Sequence, residues 1–156
     1  MNIREAREKE AEKITKELWL PLAKEMENVS SYNELENDLN IQDVINHKEK
    51  KIASDNSWIF LAENDEQLSG LISITAKESP PIFTRGKKLK IGELFVKKQY
   101  RRSGTASKLM NKAEEIAKEN SCDRVELNVN IRNKSAKEFY ENQGFETEKK
   151  KMVKRV

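Results

Sequence analysis

A basic turn that contains a glycine offers the clearest chemistry in the sequence. Residues 97–106 read Lys-Lys-Gln-Tyr-Arg-Arg-Ser-Gly-Thr-Ala, between the apolar run 94–96 and a segment with helical periodicity. A helix that begins at such a turn directs several unpaired backbone N–H groups, and the positive end of its dipole, at one point. That point attracts phosphate. The turn therefore predicts a site for a phosphate-bearing ligand.

Two common phosphate motifs do not occur at this turn. A P-loop needs Gly-x-x-x-x-Gly-Lys-Ser/Thr, and a dinucleotide fingerprint needs Gly-x-Gly-x-x-Gly. The turn instead reads Arg101-x-x-Gly104-x-Ala106. That spacing also arises by chance, so on the turn alone a tight strand-to-helix connection on a solvated basic edge is the simpler interpretation.

A second motif follows downstream. An alternating strand at residues 124–129 precedes Asn133-x-x-Ala136-x-x-Phe139-Tyr140-x-x-x-Gly144-Phe145. Together the two motifs resemble the GNAT superfamily of N-acyltransferases, whose signatures are Gln/Arg-x-x-Gly-x-Gly/Ala and, after Leu-x-Val, Asn-x-x-Ala-x-x-Phe/Tyr-Tyr-x-x-x-Gly-Phe. The resemblance is strong over residues 90–145, is loose before Trp58, and includes a first strand at residues 3–6.

The resemblance implies an acetyl-CoA-dependent N-acetyltransferase. The implied fold is a mixed α/β (α+β) domain, with a mostly antiparallel sheet and a central splayed strand pair flanked by helices. Strands 90–96 and 124–129 would form that pair. The amine would attack the thioester directly, so no Ser or Cys nucleophile is needed. A backbone N–H near Phe95 or Val96 would polarise the thioester carbonyl.

The resemblance also implies how acetyl-CoA is held. The backbone of residues 94–96 would pair with the pantetheine arm, and the N–H groups of residues 101–106 would hold the pyrophosphate. Gly104 and Ala106 are small enough for close backbone approach. Arg102 and Ala106 replace glycines that are common in the family. The predicted cofactor-binding residues are Leu94, Phe95, Val96, Arg101, Arg102, Ser103, Gly104, Thr105, Ala106, Ser107, Asn133 and Tyr140.

Two carboxylates are candidates for the base. At neutral pH an alkyl ammonium must lose a proton before it attacks, since its pKa lies near 10. Glu93 is the first candidate, and Glu126 on the neighbouring strand is the second. Simple alternation puts Glu93 on one face with Ile91 and Phe95, although a local β-bulge would change that.

Tyr140 is the candidate proton donor. Its spacing from Ala136 and Phe139 puts all three residues on one helical face, so Tyr140 is expected to point inward. On spacing alone, a core aromatic whose hydroxyl finds a backbone partner is the simpler interpretation. The resemblance favours a position near the acetyl-CoA sulfur, where a phenol could protonate the departing thiolate.

Charge is unevenly distributed along the chain. Residues 1–66 hold nine basic and sixteen acidic side chains, a net of −7, so residues 67–156 carry +10 to reach the whole-chain +3. From Arg85 to Lys108 there are nine basic residues and one acid, Glu93. This block suits a polyanion such as coenzyme A, or it is a solvated face. The acidic half predicts a cationic amine acceptor, although its acids equally suit solvated helix faces.

Two other functions compete with catalysis. The basic tail at residues 149–155 and the turn could form a nucleic-acid surface. No aromatic residue interleaves with that tail as a stacking platform, which makes nucleic acid a weak candidate. A GNAT-like module could also bind acyl-CoA as a sensor without transferring the acyl group.

The remaining elements follow from periodicity. The pattern predicts a strand at residues 1–6, helices with a break near Leu20 and Pro21, strands at 57–62, 68–75 and 90–96, a helix, a strand at 124–129, a last helix, and a last strand within 145–156.

Composition bounds the class of protein. The length of 156 residues predicts a single domain over residues 1–156, and 36% hydrophobic residues in periodic blocks argue against disorder. No apolar run approaches the roughly 20 residues of a membrane span, and no signal peptide is evident. With Cys122 as the lone cysteine, these features predict a cytoplasmic protein without a membrane partner. The lone His47 predicts no metal site. Similar proteins are often dimers, so a homodimer is also expected.

Overall fold

The computed structural model describes residues 1–84 and 86–156, so Arg85 of the basic block lies outside the described residues. The strands are β1 (Asn2–Glu5), β2 (Ser57–Asn64), β3 (Gln67–Glu78), β4 (Lys87–Val96) and β5 (Arg124–Glu126). The helices are α1 (Ala11–Ile14), α2 (Leu20–Glu27), α3 (Ile41–Ala53), α4 (Thr105–Glu119) and α5 (Lys134–Asn142). Single 3-10 turns lie at Glu8–Glu10, Ser31–Asn33 and Lys98–Tyr100.

One sheet runs through the described chain in the order β1-β2-β3-β4-β5. Neighbouring strands are antiparallel except for β4 and β5, which are parallel. Asp65 and Glu66 close the β2–β3 hairpin with φ values of 48° and 63°, the left-handed pair that a tight two-residue hairpin requires. The predicted class, a mixed and mostly antiparallel α/β fold, is confirmed.

Helices cover both faces of the sheet. The apolar stripe of α4 packs on one face, where Leu109, Met110 and Ala113 are fully buried. On the opposite face, Ile14 and Leu18 from the N-terminal helical region pack against Phe95. Alternate side chains of each strand serve the two cores, since successive residues of a strand point to opposite faces.

The predicted break at Pro21 takes a different form. The helix runs from Ala11 to Glu27, with a π-helical turn at Thr15–Trp19 between α1 and α2. Proline lacks an N–H, so Pro21 cannot donate to a carbonyl of the turn before it, and the helical ladder is irregular there. The irregularity therefore comes before the proline, in the turn where the Thr15 hydroxyl donates to the carbonyl of Ala11 at 2.8 Å.

The prediction of a last strand is wrong. Residues 146–156 are all described and all exposed, and they form neither helix nor strand. Three adjacent lysines at 149–151 break the alternation that would bury one face, so strand pairing would not offset the entropy of ordering. Strand β5 also ends at Glu126, three residues before the predicted end. Among residues 1–84 and 86–156 no strand pairs beyond β5, so β5 is an edge of the sheet.

Candidate functional site

The β4 and β5 strands part after a short stretch of pairing. The parallel register joins only Lys88 to Arg124, Leu89 to Val125 and Lys90 to Glu126. Strand β4 continues for six more residues, to Val96, and pairs there only with β3. At about 3.3 Å per residue, this leaves roughly 20 Å of one β4 edge facing a gap.

Hydrogen bonding to β3 decides which β4 residues present their backbone to the gap. The N–H of Lys97 donates to the carbonyl of Ser69 at 2.8 Å, so Ser69 and Lys97 form a hydrogen-bonded antiparallel pair. Such pairs alternate with non-bonded ones, so Phe95 also bonds to β3. Leu94 and Val96 then point their N–H and C=O groups into the gap.

The turn after β4 has two residues in left-handed conformations. Arg102 has φ 59° and Gly104 has φ 82°. A side chain at the Arg102 position is strained, because the left-handed region favours glycine. A Cβ added to Gly104 would meet no described atom within 4 Å, so the turn is open to solvent on that side.

Helix α4 starts directly at this turn, with Thr105 as its first residue. The described structure shows no side-chain cap on its first N–H groups and no acidic residue in its first turn. The first intrahelical bond runs from the N–H of Lys108 to the carbonyl of Gly104, at 3.0 Å. The N–H groups of Thr105, Ala106 and Ser107 therefore remain available to an anion.

Side chains in the turn support its shape. The Ser103 hydroxyl donates to the carbonyl of Tyr100 at 2.6 Å and lies 3.0 Å from the Thr105 hydroxyl oxygen. Thr105 is buried, so its hydroxyl supports the turn and is not presented to a ligand. The amide of Gln143 donates to the Ser107 oxygen at 3.3 Å, which ties α4 to α5.

Arg101 turns away from the start of α4. Its Nε donates to the carbonyl of Val96 at 2.7 Å, and Nη2 contacts Glu25 of α2 at 2.8 Å. Its guanidinium lies 5.6 Å from the centroid of the Phe95 ring. In this arrangement Arg101 closes the end of the gap and links it to α2, with its side chain directed away from the turn N–H groups.

Residues of the second motif lie on and around α5. Asn133 caps the helix, and its Oδ1 accepts from the N–H of Ala136 at 3.3 Å. Tyr140 packs edge-on against Phe139 and Phe145, with ring centroids 5.5 and 5.9 Å apart. These aromatics join the core cluster that also holds Leu94. Burial raises the pKa of the Tyr140 hydroxyl, so the phenol keeps its proton over a wide pH range.

A β-bulge separates Glu93 from Ile91. The register pairs Ser73 with Glu93 but Ile74 with Ile91, so Gly92 is the extra residue. Ile91 consequently belongs to the core on the α4 side of the sheet, whereas Phe95, two residues beyond Glu93, belongs to the core on the opposite face. Glu93 shares the face of Phe95 and forms an ion pair with Lys48 of α3.

Glu126 is held by two cations at the paired end of the strands. Arg124 Nε lies 2.9 Å and Lys88 Nζ 3.1 Å from its oxygens. Burial raises the pKa of Glu126, but the hydrogen bonds from Arg124 and Lys88 outweigh it, and the net pKa is lowered. A carboxylate held in this way is a weak base, and it lies four residues before Leu94 in the register.

Sequence reasoning missed the residues that surround Glu93. Lys48 is buried, Ser73 is fully buried, and Lys51 lies close to Gly92. Lys48 and Lys51 are three apart on α3 and so share a helical face. A lysine at a core-facing position of an amphipathic helix, beside Ile45, was the one available signal.

A groove of about 460 Å³ lies between α2 and the end of β4. Its walls include Glu17 and Glu25, and both acids already pair with cations: Glu17 with Lys97 at 3.1 Å and Glu25 with Arg101. Across residues 1–84 and 86–156, no cluster of His, Cys, Asp and Glu is suited to holding a metal ion. In the same described residues no helix is long and apolar enough to cross a bilayer.

Known proteins share this architecture. The chain is similar to the BH1408 protein of Bacillus halodurans, in a mutant form, with a TM-score of 0.87 and 21% identity over 100% of this chain and 99% of that one. It is also similar to a Clostridium acetobutylicum protein described as a predicted acetyltransferase with acetyl-CoA, with a TM-score of 0.75 and 19% identity over 99% and 95% of the two chains. At these identities the likeness establishes the fold.

Sequence comparison adds the family. Human N-alpha-acetyltransferase 30 is 38% identical over 91 residues, which cover 58% of this chain and 24% of that protein. The chain thus spans about a quarter of the length of that curated relative. The profile of the acetyltransferase (GNAT) family matches residues 12–145, which is most of the chain. This chain therefore belongs to the GNAT family of acetyltransferases.

Proposed function

We propose that the protein transfers the acetyl group of acetyl-CoA to a primary amine of a small molecule, a peptide or a protein. One observation carries the proposal: the backbone edge at Leu94 and Val96, which pairs with no strand on that side among the described residues, leads directly into the uncapped start of α4. Coenzyme A carries an extended amide chain followed by a pyrophosphate, and this order matches a strand edge followed by the free N–H groups of a helix start. Pantetheine amides would pair with β4, and the pyrophosphate would meet the N–H groups of residues 104–107.

The backbone of β4 would also supply the oxyanion donor. Of the two residues suggested by the sequence, Phe95 uses its N–H toward β3, whereas the N–H of Val96 faces the gap. We assign the donor to Val96, with Leu94 as the pairing residue before it. A preorganised N–H stabilises charge that develops on the thioester oxygen during attack.

Proton transfer would use groups on opposite sides of the gap. Glu93, on the α3 side, would accept a proton from the acceptor ammonium. The neutral amine would then form the C–N bond as the C–S bond breaks. Tyr140, on the α4 side, would give its proton to the departing thiolate, a role that suits a phenol whose pKa is raised by burial. The second proton of the nitrogen would pass through water to the tyrosinate, which restores the phenol. Glu126 is a poorer base because cations bond to both of its oxygens, whereas Oε2 of Glu93 has no partner among the described residues.

A thermal-shift assay tests the first part of the proposal. Acetyl-CoA should raise the melting temperature, and an oligonucleotide at the same concentration should not. A shift with the oligonucleotide alone would replace the proposal with nucleic-acid binding through the basic tail. Residues 146–156 are exposed and form neither helix nor strand, so the tail offers a nucleic acid no regular element to bind.

Release of free CoA separates an enzyme from a sensor. Butylamine, spermidine, glycine and a short peptide with a free N-terminus make a suitable acceptor panel. Turnover with any of them would support the enzyme, and binding of acetyl-CoA without turnover on the whole panel would support the sensor. A cationic acceptor stays a prediction from the charge of residues 1–66, and faster, salt-sensitive turnover of spermidine would support it.

Three further predictions accompany the proposed activity. We propose that residues 1–156 act as one domain, because the cores on both faces share one sheet. Homodimer formation and a cytoplasmic location stay predictions. Sedimentation at micromolar concentration would test homodimer formation, and localisation of the full-length protein would test the cytoplasmic location.

A further inference from the structure

Two buried oxygen atoms around the β4 bulge lack partners. Within residues 1–84 and 86–156, neither Oε2 of Glu93 nor Oγ of Ser73 has a hydrogen-bond partner, although both atoms are buried. Buried polar atoms in proteins are nearly always paired, because an unpaired one loses its bonds to water without replacement. Two such atoms in one place indicate a site that a polar group occupies.

The register brings the two atoms together. Ser73 and Glu93 are directly opposite each other on β3 and β4, so both side chains project from the same face of the sheet. Ser73 is 0% exposed, and it forms the floor of a small recess. We call this recess, formed by Ser73, Gly92, Glu93 and Lys51, the bulge recess.

Gly92 opens the bulge recess to the outside. A Cβ built on Gly92 would lie 3.3 Å from Oγ of Ser73 and 3.6 Å from Nζ of Lys51. Because glycine carries no side chain, that space is empty of protein atoms, and Gly92 itself is exposed. Any other residue there would fill the entrance.

Lys48 fixes the orientation of the carboxylate. It is 2% exposed, and its ammonium pairs with Oε1 of Glu93. A buried lysine is costly unless it is paired, so this contact determines where the Glu93 carboxylate lies. With Oε1 engaged, Oε2 is the oxygen left for another group.

We propose that the bulge recess binds the amine of the acceptor, and that Lys48 is a positioning residue that presents Oε2 of Glu93 to that amine. This inference rests on the proposed acetyltransferase function. A primary amine fits the available atoms, since it can donate one N–H to Oε2 and another to Oγ of Ser73. Its lone pair then remains directed to the β4 gap, where the thioester would lie.

The charges around the recess favour an amine without its proton. Lys48 forms an ion pair with Glu93, and Lys51 lies close enough to both for their charges to act on it. Burial is the largest cause that lowers the pKa of Lys51, Lys48 adds to it, and the net effect outweighs the opposing effect of Glu93. Burial and Lys48 act in the same way on an acceptor ammonium, which loses its proton to Oε2 of Glu93. The nitrogen forms the C–N bond, the C–S bond breaks, and Tyr140 protonates the thiolate. The second proton of the nitrogen passes through water to the Tyr140 phenolate, which restores the phenol.

Lys48→Met and Lys77→Met make a matched pair of variants. Both remove one positive charge near the recess, but Lys77 is exposed and makes no ion pair within the described residues. The acceptor is whichever of butylamine, spermidine, glycine and the free-N-terminus peptide the wild type acetylates fastest. We expect Lys48→Met to lower kcat roughly tenfold to a hundredfold with unchanged affinity for CoA, because it misplaces the base without touching the cosubstrate site. Lys77→Met should retain wild-type kcat within about twofold, as expected for an exposed charge.

A double variant separates positioning from a structural role. If Lys48 acts through Glu93, the variant carrying both Lys48→Met and Glu93→Gln loses no more kcat than Glu93→Gln alone, since groups that act as a unit are not additive. A double variant whose loss of kcat equals the product of the two single-variant losses would overturn the positioning role. So would equal kcat values for Lys48→Met and Lys77→Met.

Ser73→Ala keeps the proposal testable should Lys48→Met fail to fold. Its hydroxyl makes no bond within the described protein, so the melting temperature should not fall. The KM for the amine should rise about fivefold to tenfold, the effect of one lost hydrogen bond. An unchanged KM would overturn the recess as the amine site. A wild type that binds acetyl-CoA but acetylates none of the panel would overturn both this inference and the proposed function, whereas a normal wild type with unaffected variants would overturn this inference alone.

Discussion

The turn at residues 101–106 and the bulge recess lie along the same strand, but they are built in different ways. The turn offers backbone N–H groups from consecutive residues, and its shape depends on Gly104 in a left-handed conformation. The recess offers side-chain oxygens and ammonium groups from α3, β3 and β4. A backbone site of this kind can be recognised from a short motif, because its atoms are contiguous in the chain. A side-chain site assembled from three elements leaves no such motif.

The two regions should also respond differently to substitution. Changes in the turn should alter affinity for CoA and leave the chemistry of bound substrates intact. Changes around Glu93 should alter kcat and leave affinity for CoA intact, because the recess opens on the opposite face of β4 from the α4-side core.

Gly104→Val should have the largest effect, which is loss of measurable CoA binding. The branched side chain would occupy the open space beside the N–H groups of α4, and φ 82° is costly for any residue with a Cβ. Gly144→Val is the matched control, since Gly144 has φ 92° and equally open surroundings but lies at the end of α5. Calorimetry should show lost affinity in the first variant only. Equal affinity in both would show that the turn does not hold phosphate.

Arg101→Ala should weaken CoA binding less than Gly104→Val, because the arginine side chain points to Glu25.

Glu93→Gln should lower kcat by roughly a hundredfold to ten-thousandfold, the range for loss of a general base. The loss should be greatest at low pH, where more of the amine is protonated and a base is most needed. A pH profile of kcat/KM measured alongside CoA affinity checks this. Glu126→Gln is the control, and its profile should match the wild type. A larger loss in Glu126→Gln would transfer the role to that residue.

Tyr140→Phe should lower kcat by roughly tenfold to a thousandfold, because water can partly replace a phenol as the proton donor. The ring packs between Phe139 and Phe145 and would keep those contacts, so melting temperature and CoA affinity should hardly change. Steady-state kinetics measures the loss of kcat, and thermal denaturation measures the melting temperature. Turnover equal to that of the wild type would mean that the thiolate leaves without help from Tyr140.

Arg4→Met should have the smallest effect on catalysis, since Arg4 contacts neither region. Its guanidinium lies 2.6 Å from both Glu10 and Glu63, and hydrogen bonding to Arg4 lowers the pKa of Glu10 to about 2. The stabilisation is present above the ordinary pKa of a glutamate and is lost as pH falls toward 2. The free energy of unfolding of the wild type should therefore exceed that of the variant by about 2 kcal/mol at pH 7. This difference should shrink below about pH 4. Urea denaturation at several pH values measures it, and a difference independent of pH would contradict the linkage.

Much of the fold was readable from local pattern. The apolar run Trp58–Ala62 predicted a buried strand, and the stripe of Leu109, Met110 and Ala113 predicted a helix with one buried face. These predictions succeeded because the direction of successive side chains repeats with a period that the backbone geometry of a helix or strand sets. The last strand failed because a strand also needs a partner and a face to bury, and neither can be read from residues 146–156 alone.

The sequence by itself determined the family, the glycine-containing turn before α4 and the inward position of Tyr140, because each depends on residues that are close together in the chain. Only the tertiary structure decided that Arg101 turns toward α2, that Gly92 bulges, and that Lys48 meets Glu93 across 45 residues. A bulge shifts which side chains share a face, and an ion pair between distant elements depends on how helix and sheet pack. These are properties of the packed chain, and local spacing does not encode them.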